Sequence, residues 1–226
     1  MIAKYTVLTI YFAILFSIGI VASRRIRSLK DFYLGGKNLG HWVAAFSARA
    51  TGESGWLILG VTGMGAMMGV SAFWVVIGEV LGVFISWQFM AKKFKRLADE
   101  YDAITVPDYL VSRFQSTSNK LRIVSATVLS VFVIIYVSAQ IDITGKTFET
   151  FLGINYYGGA LLGFAIVLIY IFIGGFLAVA WSDLFQGTLM FFGLVSLPVI
   201  AIIVADFPGG IFPALGNIDP DLLNIW

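Results

Sequence analysis

Six apolar runs, at 5–22, 42–70, 72–90, 123–141, 158–180 and 184–205, constrain this chain more than any other feature. A helix rises ~1.5 Å per residue, so about twenty apolar residues match the ~30 Å hydrocarbon core of a bilayer. No water reaches that core, and a helix satisfies its own backbone groups within one segment. The chain therefore reads as an all-α polytopic membrane protein with six transmembrane helices. Composition agrees, at 59% hydrophobic and 12% charged with a mean hydropathy of +0.90. Soluble domains carry ~25% charged residues. The first run is expected to be a retained span, because its positive charges follow it and no small-residue cleavage site closes it.

The second run is too long for one plain span. It carries Gly52, Gly55, Gly60, Gly63 and Gly65, so a break or local unwinding is expected there. Lys and Arg set the orientation. Twelve of the 15 basic residues fall in two alternate connections, Arg24 to Lys37 and Lys92 to Arg122. Loops 23–41 and 91–122 are thus expected on the cytoplasmic side and both termini outside. Within the second loop, TVPDYLVSRF opens on a capping Thr105 and Pro107, so a short helix is expected on the inner face. The Pro- and Gly-rich tail 207–226, with Asp219 and Asp221, reads as the start of an external loop in a chain expected to continue.

Ionisable residues at membrane depth are costly, ~2.5–3.5 kcal/mol at a helix centre, and face a cavity or a partner. Arg49 and Glu53 stand four apart in SARATGESGW, so an intact helix would pair them. They either neutralise one another or line an ion or substrate pathway. Glu79, in IGEVLG, either packs against Arg49 or another buried partner, or handles protons. Asp183, in AWSDLFQG, falls between the fifth and sixth runs, where a helix cap is the structural alternative. Ser54, Thr62, Ser138, Gln140 and Ser196 suit hydrogen bonding between helices. Trp56 and Tyr136 adjoin polar residues and are cavity-lining candidates. With no cysteine and a lone His41, thiol chemistry, disulfides and a His or Cys metal cluster are excluded. No P-loop pattern is present, and no catalytic constellation marks an enzyme.

Five stretches, DFYLGGKNLG (31–40), SGWLILGVTG (54–63), ITVPDYLVSRF (104–114), LRIVSA (121–126) and FIGGFLAVAWSDLFQGTLM (172–190), resemble the sodium/solute symporter family, closest to its sodium/proline branch. The resemblance implies a LeuT-like fold, built as one extra N-terminal helix followed by two inverted five-helix repeats. Residues 1–226 would then be a single transmembrane domain, the extra helix plus the first repeat, with the second repeat absent. It also implies that the broken second helix offers sodium the carbonyls of Ala50 and Glu53, with Asp183 on the sodium path. Ser54, Gly55 and Trp56 would face substrate together with Tyr136, and Lys37 would stand at a basic position important for coupling. No cofactor beyond the coupling sodium is implied, and the partners are a small solute, sodium and the lipid of a cell membrane. No nucleic acid is implied.

This chain departs from the pattern where the branch carries Asp and this sequence carries Gly52. Glu53 replaces a Met, Arg49 a small residue and Glu79 an apolar one. The carboxylate has moved by one residue, ~100° round a helix. Either Glu53 substitutes for it and Arg49 pairs with Glu79, or Arg49 fixes a positive charge and transport is proton-coupled or uncoupled. The leading expectation is sodium-coupled uptake of a small organic solute, proline or a related amino acid. The alternative class is a transporter-like sensor domain of a membrane signalling kinase.

Overall fold

The computed structural model describes residues 2–37, 39–205, 207 and 209–226, with the side chains of Glu53 and Ile58 outside the description. Among the described residues every regular element is helical. In order these are α1 (Ile2–Ser23), α2 (Leu29–Leu34), α3 (His41–Gly55), α4 (Thr62–Met68), α5 (Phe73–Ile85), α6 (Lys92–Glu100), α7 (Val106–Arg113), α8 (Lys120–Leu152), α9 (Tyr156–Ala205) and α10 (Ile211–Ile218). Four helical stretches are long and apolar enough to cross a membrane, namely α1, the run Leu59–Glu100, α8 and α9. Two of the four are far longer than one crossing needs. At ~1.5 Å per residue, the 50 residues of α9 would extend ~75 Å if straight. Gly175 resolves the excess, with dihedrals of φ 53° and ψ −153° that interrupt α9. The run Leu59–Glu100 is interrupted in the same way at Gly69, φ 58° and ψ −131°. The sequence placed the boundary between the last two runs at 181–183, whereas the irregular residue is Gly175 and α9 continues through Asp183. Asp183 is therefore a mid-helix residue and not a cap.

Two compact units share the chain in alternation. The first comprises Met1–Thr51 and Ala98–Gln186. Its packing rests on close backbone approach. A Cβ on Gly174 would lie 2.8 Å from the Gly19 carbonyl oxygen, and one on Gly19 would lie 3.3 Å from Tyr170 Cβ. Around this crossing of α1 and α9, Ala22, Tyr170 and Ala178 are buried. Small residues let helices approach where lipid gives no hydrophobic drive for association. Helices α8 and α9 form a hairpin by the same means, Gly159 against Phe148 and Gly145 against Tyr156. Gly153 closes α8 in the left-handed region, φ 69°, and Asn155 Oδ1 accepts the Tyr157 and Gly158 amides at 3.0 and 3.3 Å. The end of α8 is capped a second time from α1, where Tyr5 donates to the Leu152 carbonyl at 2.9 Å and Lys4 to that of Phe151 at 3.3 Å. Such donors fill the carbonyls that a helix C-terminus leaves open.

The polar connections of this unit are tied by ion pairs. Ser28 caps α2 by accepting the Asp31 amide. Lys30 reaches Asp102 at 2.8 Å and Lys37 reaches Asp99 at 2.6 Å. Thr105 caps α7 and accepts the Asp108 amide, while Arg122 holds Asp108 at 2.9 Å. The short helix expected after Thr105 is thus present.

The second unit comprises Gly52–Leu97 and Gly187–Trp226. Its tail folds back on itself where the sequence suggested only the start of a loop. The Trp74 indole donates to the Ile225 carbonyl at 2.7 Å, and the Trp74 and Trp226 rings lie 5.3 Å apart. The Leu222 carbonyl occupies the space a Cβ on Gly69 would need. Throughout both units the large apolar side chains point outward, with Phe132 at 67% and Phe192 at 64% exposed. Solvent-facing hydrophobes at that density belong to a surface covered by lipid.

Candidate functional site

The end of α3 carries the strained backbone. Ser54 has φ 38° and ψ −153°, a conformation essentially reserved for glycine and costing about 1–3 kcal/mol elsewhere. Gly175 adopts nearly the same pair of angles, without a Cβ to oppose it. A helical carbonyl is satisfied by the amide four residues on. Turning Ser54 out of the helical region re-aims the amides that serve the preceding turn, so the carbonyls of 51–53 lie at an irregular point of the ladder. A π-helical stretch, Trp56–Val61, follows. The interruption expected in the second run is therefore present, at Ser54 itself.

Within the first unit, two other helices clamp the turn before this interruption. Tyr136, on α8, donates its hydroxyl to the Thr51 carbonyl at 3.0 Å. Asp183, on α9, accepts from the Ser47 hydroxyl at 2.6 Å. Ser47 and Thr51 stand one helical turn apart, and the Thr51 hydroxyl closes that turn on the Ser47 carbonyl at 2.9 Å. The backbone beside Ala50 is thus fixed between α8 and α9. Neither Ser47 nor Thr51 stood out in the sequence. Their signal was the four-residue spacing of two hydroxyls just ahead of the glycines, and it was outweighed by the charges of Arg49 and Glu53.

The remaining candidates divide between the units. Lys37, Arg49, Ala50, Tyr136 and Asp183 belong to the first, and Gly52, Glu53, Ser54, Gly55, Trp56 and Glu79 to the second. Lys37 takes φ 57° at the end of a Gly35–Gly36 turn that aims it at Asp99, a partner the sequence did not reveal. Arg49 and Glu79 are half-buried. The expected pairing of Arg49 with Glu53 falls on a side chain outside the described residues. A Cβ on Gly52 would meet nothing within 4 Å, whereas one on Gly60 would meet the Trp56 ring. The indole therefore lies along the π-helical stretch over Gly60. A cavity of about 540 Å³ opens among α1, α8 and α9, lined by Tyr11, Phe12, Gln140, Thr144 and Tyr170. It is largely apolar, and of the polar residues singled out in the sequence it includes Gln140 but neither Tyr136 nor Asp183.

Residues 32–222 match the Sodium:solute symporter family. The chain is 42% identical over 188 residues to a protein of Escherichia coli named "Sodium/proline symporter", covering 82% of this chain and 37% of that protein. It is 37% identical over 223 residues to the "Osmoregulated proline transporter OpuE" of Bacillus subtilis, covering 97% of this chain and 45% of the relative. A "Sodium/proline symporter 2" of Staphylococcus saprophyticus is 35% identical over 225 residues, 98% of this chain and 44% of the relative. The chain spans less than half the length of these curated relatives. No solved structure matches it. On the strength of a family match across nearly its whole length, the chain belongs to the sodium:solute symporter family, a family of transporters and not of enzymes.

Proposed function

We propose that the protein takes part in sodium-coupled uptake of a small organic solute, proline or a closely related amino acid. The carrying observation is the interruption of α3 at Ser54, preceded by a turn whose Thr51 carbonyl accepts from Tyr136 and whose Ser47 hydroxyl donates to Asp183, in a chain whose relatives bear the name sodium/proline symporter. Carbonyl dipoles can replace the water that a sodium ion sheds, and irregular backbone at membrane depth is tolerated where it lines a protein-enclosed site. Ala50 and Glu53 are the proposed backbone ligands, with Asp183 on the path of the ion. Ligation through carbonyls does not depend on the side chain, so it survives the exchange of Asp for Gly52 and of Met for Glu53. Ser54, Gly55, Trp56 and Tyr136 are the proposed substrate-facing residues. Arg49, Gly52 and Glu79 set the charge balance of the site, and Lys37 acts in coupling through its pair with Asp99.

In this reading residues 1–226 form one transmembrane domain of six spans in a LeuT-like arrangement, an extra helix and a first five-helix repeat. The interruptions at Gly69 and Gly175 support two spans in each of the long helical runs. A second repeat completes the sodium site. The basic loops 23–41 and 91–122 face the cytoplasm and the N-terminus lies outside.

Uptake of radiolabelled proline by the full-length protein, with sodium replaced by choline at fixed pH, tests the proposal. Uptake is expected to collapse in choline. Equal uptake in the two media refutes sodium coupling and leaves the proton-coupled or uncoupled reading.

A further inference from the structure

Six of the twelve basic residues of the polar connections make an informative contrast. Lys30, Lys37 and Arg122 each hold an aspartate, at 2.8, 2.6 and 2.9 Å. Asp99, Asp102 and Asp108 are thereby engaged. Lys92, Lys93 and Arg96 of α6 are exposed and make no side-chain ion pair or hydrogen bond among the described residues. At 100° per residue these three share an arc of about 100°, while Phe94 and Ala98 occupy the opposite side. Helix α6 is the last part of the helical run Leu59–Glu100. The residues just before it form an exposed apolar sleeve, with Phe84 at 62%, Trp87 at 51%, Phe89 at 60% and Met90 at 64%. Three cations at the rim of a lipid-covered sleeve lie at headgroup depth by construction.

We infer that Lys92, Lys93 and Arg96 form a docking surface for anionic phospholipid headgroups. None of the three has a carboxylate within ion-pair distance among the described residues. Glu100, one turn from Arg96, is the acid of the same helix beside the engaged Asp99, and a phosphodiester is the anion present at headgroup depth. Electrostatics favours it by several-fold per cation near the surface. A soluble polyanion would have to enter the headgroup layer to reach the same three side chains, whereas a phosphatidylglycerol molecule is already there, with its acyl chains along Phe89 and Met90.

The test reconstitutes the full-length protein in phosphatidylcholine bilayers doped with spin-labelled phosphatidylglycerol or, separately, spin-labelled phosphatidylcholine. Electron paramagnetic resonance then gives the fraction of each lipid held against the protein. Phosphatidylglycerol is expected to be retained preferentially, and the preference to fall as potassium chloride is raised. The triple variant K92Q/K93Q/R96Q is expected to lose most of it. Each single variant, Lys93→Gln or Arg96→Gln, is expected to lower it on the order of fivefold, and these decide the matter if the triple fails to insert. Equal retention of both lipids by the unmodified protein, or a preference untouched by the single variants, overturns the inference. The latter result would place the counter-charges elsewhere in the protein.

Discussion

At the scale of single residues, the interruptions share one backbone geometry and differ in what supports it. Ser54, Gly69 and Gly175 all combine a φ of 38° to 58° with a ψ of −131° to −153°. Glycine meets that demand at two of them at no steric penalty. Serine meets it at the third against its own Cβ, and backbone strain of this kind persists where surrounding contacts over-determine it. The turn before it is tied by Tyr136 on the Thr51 carbonyl and Asp183 on Ser47. Gly175 has a further constraint, because a Cβ there would lie 2.7 Å from the Phe32 carbonyl oxygen. Gly175→Ala is therefore expected to destabilise the protein by about 1–3 kcal/mol, from the strained φ alone, with the clash adding to it. A lowered midpoint of thermal unfolding in detergent checks this, and a midpoint equal to that of the unmodified protein would contradict the geometry assigned to Gly175.

At the scale of elements, the ties between connections are electrostatic and respond to acid. The Lys30 ammonium hydrogen-bonds the Asp102 carboxylate and its charge adds to the effect, holding that carboxyl below its ordinary range. A group whose folded pKa is depressed contributes stability that is complete above its unfolded value of about 4 and is lost as pH falls through the folded value. Lys30→Gln is expected to return Asp102 to the ordinary carboxylate range, as followed by its side-chain NMR titration. An unchanged titration would show that Lys30 does not set it. The elements also show where the sequence was legible. Thr105 and Pro107 announced α7 because cap and first-turn chemistry are local. The crowd of glycines from 52 to 65 announced an interruption, again because backbone freedom is local. Gly175 escaped notice because it sits inside a uniformly apolar run, where hydropathy carries no mark of a bend. Burial of a charge at Asp183 was legible, but its role was not, because the partner Ser47 lies 136 residues away. The fold-back of the tail was equally hidden, since it depends on Trp74 meeting Ile225 and Trp226.

At the scale of the whole molecule, the proposed orientation rests on the distribution of Lys and Arg, and residues 1–226 hold no cysteine to obscure its measurement. A cysteine introduced at Ser118, in the second basic connection, is expected to resist a membrane-impermeant maleimide in intact cells and to react after permeabilisation. One introduced at Gly153, between α8 and α9, is expected to react without permeabilisation. The reverse pattern would invert the proposed topology. With any cysteines outside residues 1–226 replaced by serine, the same labelling gives the most direct test of the site. In the full-length protein carrying Ala50→Cys, the rate of alkylation by a small maleimide would be followed in sodium and in choline, with and without proline. Slowing by sodium, and further slowing when proline joins it, is the result that places the ion at the carbonyls beside Ala50. A rate indifferent to sodium, with uptake retained, would contradict a sodium site at the interruption of α3.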